Sequence, residues 1–172
     1  MPIQNFFKKK PKIDSTVYIA PSATIIGDVV IKKNSSVWPN AVIRGDTNTV
    51  RIGENTNIQD NVVIDAKQYG HVALGNHVSI GHGAILHGCQ IGHNIIIGMG
   101  AIIMEDVSIN DWVIVGAGSL VTQNTIIPSH SVVMGIPART VKTLNAKQKK
   151  SIIQNAEEYH LLAQQYQELI IS

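Results

Sequence analysis

From Ile19 onward an aliphatic residue returns at almost every sixth position: Ile19, Ile25, Ile31, Val37 and Ile43, then Ile52, Ile58 and Ile64, then Leu74, Ile80 and Leu86, then Ile91, Ile97, Ile103, Ile109, Val115, Val121 and Ile127. A small or polar residue usually follows each one, as in Ile52-Gly-Glu-Asn-Thr and Val115-Gly-Ala-Gly-Ser. Six fits neither the 3.6-residue period of an amphipathic helix nor the two-residue period of a half-buried strand. It fits a triangular coil in which each short strand sends one aliphatic side chain to the axis, with three hexads to a coil. The eighteen hexads predict about six stacked coils, an all-β solenoid of hexapeptide repeats in which the periodic Ile, Leu and Val residues are core.

The period breaks in three places, where an array of this kind loops out. Three extra residues fall between Ile43 and Ile52, around Gly45-Asp46-Thr47, and four between Ile64 and Leu74, in the run from Asp65 to His71. The hexad begun by Leu86 is one residue short. The period ends after Ile136-Pro137-Ala138, and Asn145 is a suitable N-cap for a C-terminal helix. Ile152, Ala156, Tyr159, Ala163, Tyr166 and Ile170 then recur at steps of three and four, marking one face of a helix of roughly 25 residues. The expected organisation is a single domain: a β-helix over residues 1–144 and a helix over 145–172 packed along the β-helix, its own or a neighbour's.

Composition narrows the function classes. A net charge of +2 does not argue for nucleic acid, and Lys8-Lys9-Lys10 reads as a solvated end. Aromatic residues are only 5%, as an aliphatic stacked core would have it. Cys89 is the only cysteine, so no internal disulfide and no cysteine-based metal site is expected. No stretch has the length of a signal peptide's apolar region or of a membrane span. The expectation is a cytoplasmic protein without a membrane partner.

Stacking every third hexad predicts which side chains stand one above another, at about the 4.8 Å spacing of adjacent strands. Arg44, Asp65 and His87 each hold the second place in their hexads and form one column along a corner. His82, third in its hexad, lies on a different side above Asp60. In a trimer the side bearing His82 in one subunit can face the corner bearing Asp65 and His87 in the next. Two imidazoles and a carboxylate are a competent ligand set for zinc or ferrous iron.

The runs Ile43-Arg-Gly-Asp46, Asn57-Ile-Gln-Asp60, Ile80-Gly-His82-Gly-Ala-Ile-Leu-His87-Gly-Cys and Ile97-Gly-Met-Gly-Ala resemble the gamma-class carbonic anhydrase family of left-handed β-helix homotrimers. The resemblance extends from about Lys12 through the C-terminal helix. It implies a left-handed coil and one Zn2+ (or Fe2+) per subunit at the interfaces, where metal-activated hydroxide attacks carbon dioxide to give bicarbonate. His82 and His87 match two ligand histidines of the family, and Asp65 occupies the position of the third. Arg44 and Asp60 match an intersubunit ion pair, while Asp46 and Gln59, with Arg44, match residues around the metal-bound water. A carboxylate ligand lends more negative charge than an imidazole and makes the bound water less acidic, which implies a slower enzyme.

Two readings from other classes stay open. A hexapeptide-repeat acyltransferase would bind coenzyme A between subunits and use one histidine as base, leaving the His82 and His87 pair without a shared purpose. A catalytically silent trimeric scaffold would follow if Asp65 does not ligate. His71, in the insertion, is a substitute ligand or a surface residue.

Overall fold

A computed structural model of the chain describes residues 3–171, with side-chain surroundings through residue 169. The chain winds as a parallel β-helix of the left-handed hexapeptide type, about seven coils long rather than six. The seventh comes from Ile13 and Val133, one further hexad before Ile19 and after Ile127, which pair with Ile31 and Val115, and from Ile3, which lies off the six-residue period and pairs with Ile25.

The first face stacks Thr24–Gly27, Val42–Arg44, Val63–Asp65, Ile85–His87, Ile102–Ile103 and Leu120–Val121. The second stacks Lys12–Ile13, Val29–Ile31, Val50–Ile52, Val72–Leu74, Gln90–Ile91, Ser108–Ile109 and Ile126–Ile127. The third runs from Tyr18–Ile19 through Ser36–Val37, Asn57–Ile58, Val78–Ile80, Ile95–Ile97 and Val113–Val115 to Ser131–Gly135, where Ala138–Thr143 turns back antiparallel. Nearly every periodic residue is buried; Ile19, at the start of the array, is only partly so. Alternate positions point outward, so each face shows solvent a different set of side chains.

The outward sets differ. On the first face one outward row is largely aliphatic, with Val63, Ile85 and Ile102 exposed by 36, 41 and 40%, and Arg44, Asp65 and His87 stand outward along its edge. On the second they are mixed, with Lys12, Arg51, Gln90 and Ser108 alongside Val30, Ala73 and, at the last coil, the isolated and well-exposed Ile126. The third is covered by α1, Ala146–Ile171. Asn145 caps it as expected: its Oδ1 accepts from the Gln148 amide at 2.9 Å while Gln148 Oε1 accepts from the Asn145 amide at 3.2 Å, a reciprocal pair that satisfies two otherwise orphaned donors. Ile152, Ala156 and Ala163 are buried, and Tyr159 and Tyr166 close on Trp38 at centroid distances of 5.4 and 5.2 Å, so the helix packs on its own coil. The Ile170 side chain lies outside the described residues. At 26 residues the helix is about 39 Å long, enough to run the height of seven strands at ~4.8 Å. No helix among the described residues is long and apolar enough to cross a membrane.

Lys9 is not a solvated end. Its ammonium donates to the carbonyls of Asp46 and Thr47 at 2.6 and 3.0 Å, tying the first coil's loop to the insertion beside Arg44. Cys89 is fully buried, and burial pushes its thiol up to about 12. A thiolate is therefore scarce in the folded chain at pH 8. Alkylation there, measured by mass spectrometry, is expected to be undetectable in the native protein and complete in denaturant.

Candidate metal and active site

Three successive coils carry the irregular hexads at one corner, between the first and second faces. Strand register sets Arg44 beside Asp65 and Asp65 beside His87, because the extra residues fall after Arg44 and Asp65 and leave the pairing up to those positions in step, the first insertion bulging within the long strand Val42–Ile52. Arg44 grips both oxygens of Asp65, with Nη2 to Oδ2 at 3.0 Å and Nε to Oδ1 at 3.3 Å, and this bond, with the carboxylate's charge, holds the guanidinium above its usual pKa. Asp46 Oδ2 stands 3.7 Å from Arg44 Nε, and its Oδ1 accepts from the Thr47 amide. His87 Nδ1 lies 3.6 Å from Asp65 Oδ2, too far for a hydrogen bond.

The opposite edge of the first face carries the second cluster. Asp60 and His82 precede turns with positive φ at Asn61 (59°) and Gly83 (68°). Repeating one turn in successive coils stands His82 over Asp60, Nδ1 to Oδ2 at 2.8 Å. Gln59 is buried with both amide ends engaged: Oε1 accepts from the His82 backbone N–H at 3.2 Å and Nε2 donates to Asn57 Oδ1 at 3.0 Å. Asn57 in turn donates to Ser79 Oγ.

The single chain keeps the two clusters apart. Among the described residues no three His, Cys, Asp or Glu side chains converge on one point. The insertion does not carry His71 to either cluster: Lys67 pins the loop by pairing with Asp106 and Glu105, and His71 lines a separate recess with Tyr69, Gly88, Gln90 and Asp106.

Periodicity did not mark Tyr159 for the site. Its hydroxyl is 3.4 Å from His82 Nε2, and with Gln59, Ser79, Met99 and Asn155 it lines a cleft of about 310 Å3 under the helix. Burial, and secondarily the charge of Asp60, raises the phenol's pKa. The only sequence signal for it is its place on the helix's inward face.

A triangular parallel coil with paired histidines on its edges defines a protein of the hexapeptide-repeat class, and the profile of the Bacterial transferase hexapeptide (six repeats) family matches residues 10–45 and 88–123. The chain is 46% identical over 152 residues to Probable carbonic anhydrase of Methanocaldococcus jannaschii, covering 88% of this chain and 96% of that one. It is 42% identical over 168 residues to Gamma carbonic anhydrase 2, mitochondrial, of Arabidopsis thaliana, covering 94% of this chain but only 60% of that one. A solved hexapeptide transferase family protein from Anaplasma phagocytophilum superposes with a TM-score of 0.92 at 38% identity, covering 95% of this chain and 97% of that one. The chain belongs to the gamma-class carbonic anhydrase-like family. It spans about three fifths of the length of the plant relative.

Proposed function

We propose that the protein is a homotrimeric carbonic anhydrase-like metalloprotein that interconverts carbon dioxide and bicarbonate at sites shared between subunits. The observation that carries this reading is the first face itself. It carries a continuous uncovered aliphatic strip, Val63, Ile85 and Ile102 in successive coils, while the second face alternates polar and aliphatic residues and the third lies under α1. Burying such a strip is the main driving force for association. His82 and Asp60 stand at one edge of the strip and Arg44, Asp65 and His87 at the other, so a threefold assembly through this face brings the edges of neighbouring subunits together.

The donor groups suit a divalent ion. Ligands of a tetrahedral zinc with bonds of roughly 2.1 Å are about 3.4 Å apart, close to the 3.6 Å between His87 Nδ1 and Asp65 Oδ2. The bidentate grip of Arg44 uses one lone pair on each Asp65 oxygen and leaves the others. His87 and Asp65 of one subunit with His82 of the next would hold the ion, whose chemistry is to make water acidic enough to attack carbon dioxide at neutral pH. Asp60 orients the His82 ring, as carboxylates behind metal-ligating histidines do. Gln59 fixes the backbone of His82, and Arg44 fixes the Asp65 carboxylate while drawing off part of its charge.

The test is the metal content of untagged protein prepared without chelators or oxygen, beside His87→Ala. About one zinc or iron per subunit in the wild type, at least tenfold less in the variant, and carbon dioxide hydration that tracks the metal are expected. No uptake by either protein after incubation with zinc and ferrous salts would favour the silent scaffold. The likeness to a hexapeptide transferase family protein favours one other reading, acyl transfer, and binding of coenzyme A by the metal-free trimer would be its mark.

A further inference from the structure

His82 has a partner at each ring nitrogen. Asp60 faces Nδ1 at 2.8 Å, and a carboxylate only accepts, so Nδ1 carries the proton and Nε2 of the neutral ring keeps its lone pair. That lone pair is the electron pair a metal would take. The hydroxyl of Tyr159 already faces it at 3.4 Å, and its O–H is the donor. The phenol does not hang there freely: its ring meets Trp38 edge to face, and Trp38 is fixed by its indole N–H donating to Ser36 Oγ at 2.9 Å. Gln59 holds the backbone of His82 from the other side. Ring and phenol are both positioned from behind, so their meeting is built by the coil and the helix together.

We propose that Tyr159 guards the metal-ligating nitrogen of His82: the phenol and the incoming ion compete for the Nε2 lone pair, and loading the site requires the hydroxyl to give it up. The C-terminal helix thereby enters the metal affinity of the site although it supplies no ligand. Tyr159 is a positioning residue in this scheme. It keeps the neutral ring in the tautomer that metal binding needs, at the expense of some affinity.

The inference rests on the reading of His82 as a ligand, and the experiment separates the two. Metal-stripped wild type and Tyr159→Phe, both verified by molar mass and circular dichroism, are titrated with zinc against a chromophoric competing chelator. Phenylalanine keeps the ring on Trp38 and removes only the hydroxyl. The variant is expected to bind zinc about fivefold tighter, the size of a modest hydrogen bond released. Zinc is also expected to produce a tyrosine ultraviolet difference spectrum in the wild type that is absent from the variant, since Tyr18, Tyr69 and Tyr166 remain in both. Equal or weaker zinc binding by Tyr159→Phe would overturn the inference while leaving the metal reading intact. No zinc binding by the wild type would overturn both.

Discussion

Ile85→Glu is expected to turn the proposed trimer into monomers and to abolish metal binding in the same step. Ile85 lies outward on the first face, 41% exposed in the single chain, between Val63 and Ile102. A glutamate there meets water in the monomer, so the coil should fold with its circular dichroism unchanged. Assembly would instead bury three carboxylates in aliphatic surroundings, each at a cost of several kcal/mol without a partner. Sedimentation at micromolar concentration should show one-third of the wild-type mass. Metal content should fall at least tenfold, because in the proposed assembly His82 and His87 meet only across the interface. A trimer that persists with its metal would place the assembly surface elsewhere.

Ile80→Ala should cost about 3–4 kcal/mol, the usual result of removing most of a buried aliphatic side chain. Ile80 is fully buried in the central coil, in register with Ile58 below and Ile97 above. The main-chain ladder fixes those neighbours at strand spacing, so the cavity has little room to collapse. For a chain of this size the melting temperature should fall by roughly 10 °C, and the urea midpoint should fall with an unchanged slope. A loss below about 1 kcal/mol would mean that the central coil repacks readily.

The column of Arg44, Asp65 and His87 was legible in the sequence because, in a parallel coil, counting hexads also counts strand register. The same counting set His82 over Asp60. It failed at the first coil, where Ile3 and Ile13 are ten residues apart because the chain between them makes the loop that Lys9 anchors. A lysine held by two backbone carbonyls has no periodic signature. Tyr159 was legible as a residue of the inward helix face but not as a neighbour of His82. Where the helix lies along the third face is decided by Tyr18, Trp38 and Tyr166 packing against one another, and period alone cannot place an element in that direction.

The reversal of Ala138–Thr143 bears on whether another molecule could extend the stack. A stack of parallel coils ends in unpaired main-chain donors and acceptors that invite another molecule to continue it. On the third face that edge is taken by a strand of the opposite sense, with a register shift between Val132 and Val133. Beyond Ala138 its residues are all exposed, with Arg139 and Lys142 among them. An incoming coil would meet a backbone running the wrong way and carrying positive charge. The third face of the solenoid thus has a built-in terminus, and a second molecule arriving end to end would find no parallel edge there to extend.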